Sequence, residues 1–418
     1  MAATEIFPSP KPIIDNIKYL ENPFRQHSFS AKPYLNHSVE NADLDLEFTL
    51  KFLYSYNGSS ATFNSYRREL ERILQWAWHV ERRSIIDLKR ENIEEFISFC
   101  QQPPKSWIGT KNVARFVSKD GLRNPHPEWR PFVASVSKAE YAKGIEADIN
   151  HYDFSQASVK AMFTALSSFY EYLIQESLSE ANPVALIRQK SKFIRKQQFS
   201  PVVRRISNLQ WEYVIETAEF MASENPAEHE RTLFIMNALF AMYLRISELV
   251  ADERSMPLMS DFRKDHDQNW WFHVLGKGNK NRAITVSDAM LNALVRYRLF
   301  LGLPKLPSPG EYIPLIAKTK GNGPVSSTRH IRRIVQNCFD TAFDRMRQDG
   351  LTDDALELKA ATVHWLRHTG ISEDVKHRPR EHVRDDAGHA SMATTDRYID
   401  SDLRERHQSG KRKKIKES

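Results

Sequence analysis

The chain has 418 residues, of which 41% are hydrophobic and 27% are charged. This length exceeds one ordinary hydrophobic core and predicts two or three domains, while the composition excludes a disordered or low-complexity chain. Lys and Arg total 60 against 53 Asp and Glu, and the resulting net charge of +7 by itself favours a polyanionic partner only slightly.

The cysteines and the apolar stretches indicate the compartment. Cys100 and Cys338 are far apart, which predicts neither a disulfide framework nor a cysteine-based zinc site and fits a reducing compartment. The first residues have no basic region that leads into an apolar run, so we expect no signal peptide. The most apolar stretch, residues 233–244, is too short to span a bilayer. These features predict a soluble, cytoplasmic protein without a membrane partner.

The first half of the chain predicts an arm followed by a helical domain. Residues 1–45 are rich in Pro, Asn and Ser, and we expect an arm without a core of its own. Apolar residues then recur at helical spacing over residues 46–186. Within this domain, residues 101–150 hold many of its prolines and aromatic residues, which indicates a long insertion or loop.

Residues 187–206 form a basic segment without an acidic residue. Its basic residues are Arg188, Lys190, Lys192, Arg195, Lys196, Arg204 and Arg205. One interpretation is a solvated interdomain linker. The other is a linker that lies on phosphates, because unopposed cations gain from counterion release.

Residues 207–405 predict a second domain that is mostly helical. One β-hairpin is expected, because apolar runs flank the Gly-rich turn at residues 276–279. A later helix places Arg329, Arg332 and Arg333 on or near one side. Residues 406–418 form a basic tail.

Two cationic residues lie at positions that suit a bound anion. Arg245 follows the apolar helix 233–244, and an arginine at the end of a buried helix needs an anion or a carboxylate partner. Glu248, three residues later, is a candidate for an internal ion pair. Lys277 lies in a Gly-Lys-Gly turn, where lysines are usually solvated, although the glycines would let a ligand approach the backbone.

His364, Arg367 and His368 would share one helix face. Three potentially cationic groups on one face repel each other unless an anion gathers them. The two histidines also have the spacing of a zinc protease, but Trp365 takes the place of the glutamate which that motif requires. We therefore expect no metal here.

His389 and Tyr398 lie nine residues apart in HASMATTDRY. The paired threonines between them suggest a helix that starts just before the tyrosine. Most tyrosines are packing residues, and one with the ordinary pKa near 10 becomes a nucleophile only beside a base or a cationic field. Together with two arginines, which can clamp a phosphate without Mg²⁺, these residues favour phosphoryl transfer to Tyr398.

The order of these residues resembles the tyrosine recombinases, the phage-integrase family of DNA strand-exchange enzymes. The matching residues are Arg245 in LRISEL, Lys277 in GKGNKNR, His364 and Arg367 in HWLRHT, His389 in GHAS, and Tyr398 in TTDRY. The resemblance covers about residues 46–405 and is greater to integrases of mobile elements than to compact chromosome-dimer resolving enzymes. It implies a mainly α fold, with a helical core-binding domain over residues 46–186 and a mixed, mostly α catalytic domain with a small β-hairpin or sheet over residues 207–405.

The resemblance also implies a mechanism. Arg245 and Arg367 would bind the scissile phosphate with help from His389. Tyr398 would attack in line and form a 3′-phosphotyrosyl link, and Lys277 would protonate the leaving 5′-oxygen. The link keeps the bond energy, so no cofactor and no metal is expected.

Further residues and partners follow from the same resemblance. His364 would assist proton transfer, and Glu248 and His368 would support the site. The partner would be double-stranded DNA with specific recombination sites. Four copies of the chain would act on two DNA sites, with a monomer or dimer when free, at the bacterial nucleoid. Integration or excision of a mobile genetic element is the expected role, and residues 187–206 would cross the DNA backbone.

The chain departs from the family pattern in residues 371–387. The family has an apolar helix there, whereas this run is polar, contains Pro379 and ends in Ala387 in place of the usual leucine. Two other functions remain compatible with the motifs. They are a type IB topoisomerase, which shares this chemistry, and a DNA-binding protein without catalysis.

Overall fold

The computed structural model describes most of the chain in two compact units, Met1–Gln198 and Phe199–Ser418. The described residues are 9–20, 39–120, 122–136, 140–141, 144–185, 187, 204–276, 280–396, 398 and 410–411. Within them, no helix is long and apolar enough to cross a membrane.

The first unit is built on helices whose buried apolar side chains form one cluster. The helices are α1 (Ala42–Tyr54), α2 (Ser60–Trp76), α3 (Arg90–Gln101) and α4 (Gln156–Gln175). The apolar residues that recur at helical spacing in α2, such as Phe63, Leu70 and Leu74, are fully buried. Helix α2 packs against α1 and α4. The pattern of apolar spacing thus predicts the buried face correctly.

Residues 9–20 of the predicted arm pack onto this cluster, and α1 begins inside the predicted arm, at Ala42. Ile14 is buried, and the carboxylate of Asp15 accepts from Arg123 Nε at 2.7 Å. These residues have no core of their own, but their apolar side chains belong to the core of the first unit.

The region predicted as an insertion or loop, residues 101–150, contains short strands. They are β1 (Ile108–Gly109), β2 (Phe116–Lys119), β3 (Leu122–Pro125) and β4 (Phe132–Val133). β1 pairs with β4 in parallel, and β2 and β3 form an antiparallel pair. Trp107 and Phe132 are completely buried, and each such side chain contributes roughly 1.5–3 kcal/mol. Aromatic residues that suggested a loop therefore belong to the core.

The second unit is mainly helical, with one three-stranded sheet in the order β5-β6-β7. Its elements are α5 (Asn208–Glu224), α6 (Pro226–Ala241), β5 (Phe262–Lys264), β6 (Trp270–Leu275), β7 (Asn281–Thr285), α7 (Asp288–Phe300), α8 (Thr328–Gln348), α9 (Thr352–Lys359), α10 (Val363–Asp374), α11 (Arg380–Ala387) and α12 (Met392–Asp396). The predicted hairpin is confirmed as β6 and β7, which pair antiparallel from Trp271 with Thr285 to Leu275 with Asn281. Strand β5 was not predicted, because three residues are too few for a recognisable alternation.

The core of the second unit surrounds α6 and the apolar face of α8. In α8, Ile331, Val335 and Phe339 are buried, while the predicted basic side of its first turns is exposed. The mainly α fold class with a small sheet is therefore confirmed.

Candidate active site

The carboxyl end of α6 leads the chain into the candidate site. Beyond it, Tyr243 is buried and has a left-handed backbone with a φ of 49°. A short 3₁₀ turn, Ile246–Glu248, follows Arg245 directly. Helix α10 packs against α6, and a Cβ at Gly370 would overlap the carbonyl oxygen of Phe240. Glycine at this position therefore allows the close approach that brings α10 to the end of α6.

Glu248 holds two arginines by its carboxylate. Arg282 Nη1 and Nη2 donate to Oε1 and Oε2 at 2.8 Å each. Arg245 donates through Nη1 at 2.9 Å and through its backbone N–H at 2.7 Å. Burial raises the pKa of Glu248, but the hydrogen bonds and charges of the two arginines outweigh it and hold that pKa below its ordinary value. The internal ion pair considered for Arg245 is present, yet 29% of the Arg245 side chain remains exposed.

Arg282 is a site residue that the sequence analysis missed. Its Nε donates to the backbone oxygen of Asp386 at 2.9 Å. A Cβ at Gly388, where φ is 64°, would lie 2.9 Å from Arg282 Cδ. Arg282 therefore joins strand β7 to the end of α11. The sequence analysis missed it because, in the basic run KNR, it has the same pattern as a solvated cation.

Arg367 is held by backbone oxygens. It is 3% exposed, and its Nη2 donates to Ala387 O at 2.5 Å while its Nη1 donates to Tyr243 O. Burial, with the charge of Arg245 next, lowers the pKa of Arg367 to about 10. The guanidinium is thus fixed in place and remains cationic at neutral pH.

His368 and Tyr398 are hydrogen-bonded partners. His368 Nδ1 lies 2.6 Å from the Tyr398 hydroxyl, and its ring also contacts that of His364 at 4.2 Å between centroids. Burial, followed by the charges of His364 and Arg367, lowers the pKa of His368 to about 4. His368 is therefore neutral at pH 7, and with its proton on Nε2 it accepts the tyrosyl hydrogen at Nδ1.

His389 also contacts the tyrosine. Its ring stacks on that of Tyr398 at 5.6 Å, and its Nδ1 lies 2.9 Å from the hydroxyl of Thr395. Burial, then the charges of Arg367 and Arg245, lowers the pKa of His389 to about 4. Helix α12 begins at Met392 and contains the buried Thr395. The expected helix start just before Tyr398 is therefore wrong.

The divergent polar run, residues 371–387, forms the end of α10 and all of α11. Arg378 bridges the two helices, because its Nη1 donates to Asp374 Oδ2 at 2.9 Å and its Nη2 donates to Asp386 Oδ2 at 2.6 Å. The Tyr243 hydroxyl donates to Asp374 and accepts from Arg378. Half-buried ion pairs thus join the two helices in the divergent run.

The same run also supplies apolar packing. Ile371, Val383 and Ala387 are completely buried, and they form a small cluster with Tyr243 and Tyr398. Tyr398 itself is 9% exposed. Ala387, where the family pattern has a leucine, therefore lies within the apolar surroundings of the tyrosine.

Curated relatives of the chain are tyrosine recombinases, although no family model matches it. XerD of Rickettsia prowazekii is 29% identical over 140 residues, 34% of this chain and 42% of the relative. XerC of Staphylococcus saprophyticus is 28% identical over 250 residues, 59% of this chain and 71% of the relative. XerC of Rickettsia canadensis is 20% identical over 396 residues, 93% of this chain and 94% of the relative.

The chain is therefore similar in sequence to tyrosine recombinases. It spans less than half of the length of the XerD recombinases that it matches. The crystal structure of the XerH site-specific recombinase bound to palindromic difH substrate, a post-cleavage complex, has a TM-score of 0.50 and 14% identity and covers 90% of each chain. This likeness supports the recombinase fold.

Other residues predicted for function either lie outside the described residues or have no contact with the site in the described structure. Lys277 is outside them, and of its described neighbours, Gly276 donates its N–H to Lys280 O at 2.8 Å. Arg204 is exposed, and Arg205 is half-buried. Exposed side chains of α8 include Arg329, Arg332 and Arg333. The predicted linker residues outside the described part are Arg188, Lys190, Lys192, Arg195 and Lys196.

In the part of the chain that the structure describes, no group of three His, Cys, Asp or Glu residues is arranged for a metal ion.

Proposed function

We propose that the protein is a site-specific DNA recombinase that cuts and rejoins DNA through a 3′-phosphotyrosyl intermediate. The observation that carries this proposal is the hydrogen bond between Tyr398 and His368 at 2.6 Å. A tyrosine in contact with a neutral base, and near the charges of two arginines, has the surroundings that a phosphoryl-transfer nucleophile requires.

In the proposed step, Tyr398 Oη forms a bond to phosphorus and the bond from phosphorus to the 5′-oxygen breaks. The tyrosyl proton passes to His368 Nδ1. The leaving 5′-oxygen takes a proton from an acid, for which Lys277 remains our proposal. A 5′-hydroxyl of another strand can then attack the phosphotyrosine and reverse the step.

The two arginines have different tasks in this proposal. Arg367 is buried and fixed by two backbone oxygens, so it needs little reorganisation to stabilise charge on a nonbridging oxygen. Arg245 is more exposed and is oriented by Glu248, which leaves part of its guanidinium for the second oxygen. His389 and His364 flank them and complete the proposed phosphate site.

The partner in this proposal is double-stranded DNA with specific recombination sites. A homo-tetramer on two sites, with a monomer or dimer when free, and a bacterial nucleoid location complete the proposal. We further propose that the role is integration or excision of a mobile genetic element. Residues 46–186 would be the core-binding domain, and residues 207–405 the catalytic domain.

A cleavage assay tests the function. Nicked suicide duplexes that carry the DNA flanking the coding region are incubated with the wild-type chain, Tyr398→Phe and the control Tyr312→Phe, whose ring is 77% exposed. We expect covalent adducts with the wild type and the control only. Adducts with Tyr398→Phe would contradict the proposal, and relaxation of any supercoiled plasmid without site preference would favour a topoisomerase.

A further inference from the structure

Arg231, in the second turn of α6, is a buried arginine without a carboxylate partner among the described residues. It is 8% exposed, and its Nε is buried without a hydrogen-bond partner in the described structure. Its Nη1 donates to the backbone oxygen of Ala317 at 3.2 Å. A buried guanidinium with an unused donor lacks the compensation that such groups normally have.

The imidazole of His330, in the first turn of α8, has an arginine at each of its two nitrogens. Arg231 Nη2 lies 3.4 Å from His330 Nε2, and Arg333 Nη2 lies 3.2 Å from His330 Nδ1. A neutral imidazole can accept at only one ring nitrogen, because the other carries a hydrogen. In either tautomer, one of these two contacts sets a donor against a donor.

Among the described residues, no carboxylate forms an ion pair with Arg231 or Arg333. Burial lowers the pKa of Arg231, and burial together with the two arginines lowers the pKa of His330. Tyr297 and Glu228 oppose this lowering of the Arg231 pKa only in part, and Glu228 is exposed and pairs with His229. An anion bound at this cluster would supply the missing countercharge and accept from donors that the cluster leaves unused.

We propose that Arg231, His330 and Arg333 form a phosphate-binding site at the amino end of α8, and that it takes a backbone phosphate of DNA other than the scissile one. Arg231 lies about 15 Å along α6 from the end that leads to Arg245, at about 1.5 Å per residue. The amino end of the 21-residue helix α8, where Ser327 caps the N–H of His330, adds a favourable dipole. The DNA source rests on the proposed function, whereas phosphate binding does not.

The test uses the full chain carrying Tyr398→Phe, so that cleavage plays no part. Binding of a mixed-sequence DNA duplex is measured at several salt concentrations for Arg333→Gln and His330→Gln. The control, Arg347→Gln, makes the same charge change as Arg333→Gln at the other end of α8. We expect Arg333→Gln to weaken binding about tenfold and to lower the salt slope by about 0.9, and His330→Gln to weaken it less.

A second arm separates the two sources of phosphate. Binding of inorganic phosphate is followed by the NMR signals of His330, and Arg231→Gln is included after its melting temperature has been measured. Loss of the phosphate-induced shift in Arg231→Gln and Arg333→Gln, together with the lower salt slope, supports the proposal. Equal effects of Arg333→Gln and Arg347→Gln on the duplex, or an effect on inorganic phosphate alone, would overturn it. Neither outcome depends on whether Tyr398 is the nucleophile.

Discussion

The hydroxyl of Tyr398 lies 2.6 Å from Nδ1 of His368, a histidine that burial keeps neutral at pH 7. This pair joins the proposed nucleophile to a group that can take its proton. His368→Ala should therefore slow adduct formation by a factor of about 10²–10⁴ and leave DNA affinity unchanged. The rate on a suicide duplex checks this, with the exposed His377→Ala as the control. An unchanged rate would remove His368 from the proton transfer.

The bridge formed by Arg378 predicts a loss of stability. Arg378→Met leaves Asp386, which is 4% exposed, without its ion-pair partner, and should lower the free energy of unfolding by about 1–3 kcal/mol. Adduct formation should fall as well, since α11 carries the Ala387 oxygen that holds Arg367. Arg384→Met removes an exposed pair with Asp385 and should cost little. Urea unfolding of both variants measures the two losses. Equal decreases in the free energy of unfolding would contradict a structural role of the Arg378 bridge.

Gly388 predicts a steric effect on Arg282. Gly388→Ala combines a left-handed backbone with a Cβ 2.9 Å from Arg282 Cδ, whereas Gly323→Ala has a similar backbone with nothing within 4 Å. Both should lose about 1 kcal/mol through the backbone. Only Gly388→Ala should also lower the rate of adduct formation, because it displaces Arg282 from Glu248. Equal rates in the two variants would mean that this contact is unimportant.

How far the sequence predicts this structure depends on whether a feature is local. Apolar residues at helical spacing predict α2, and a Gly-rich turn between apolar runs predicts the β6–β7 hairpin, because neighbours along the chain determine both. Trp107 and Phe132 lie in the region predicted as an insertion or loop, because short strands without alternation leave no local signal.

The residues of the candidate site show the same difference between local patterns and contacts that join distant parts of the chain. The spacing of His364, Arg367 and His368 already places them on one helix face. The partners of Glu248 and Asp386 depend on contacts between distant elements, and Arg282 meets a carboxylate that lies 34 residues earlier. No periodicity encodes such pairs, so the polar run 371–387 gave no indication of its ion-pair network.

The neutral histidines predict a pH dependence of stability. The pKa values of His368 and His389 fall from an ordinary 6.5 to about 4 in the folded chain. Between these two values the unfolded chain binds more protons, so the free energy of unfolding should fall as the pH drops from 6.5 towards 4. The slope from each histidine is at most about 1.4 kcal/mol per pH unit. Urea unfolding at pH 7, 6 and 5 checks this, and His368→Gln should reduce the slope. An identical slope in that variant would contradict the assigned shift.

The attachment site of the DNA tests the proposed mechanism most directly. A covalent adduct formed on a suicide duplex is trimmed with nuclease and protease, and the nucleotide-bearing peptide is sequenced by tandem mass spectrometry. We expect a nucleotide joined through its 3′-phosphate to the Tyr398 oxygen. A nucleotide on any other residue, or a 5′-phosphate linkage at Tyr398, would contradict the mechanism.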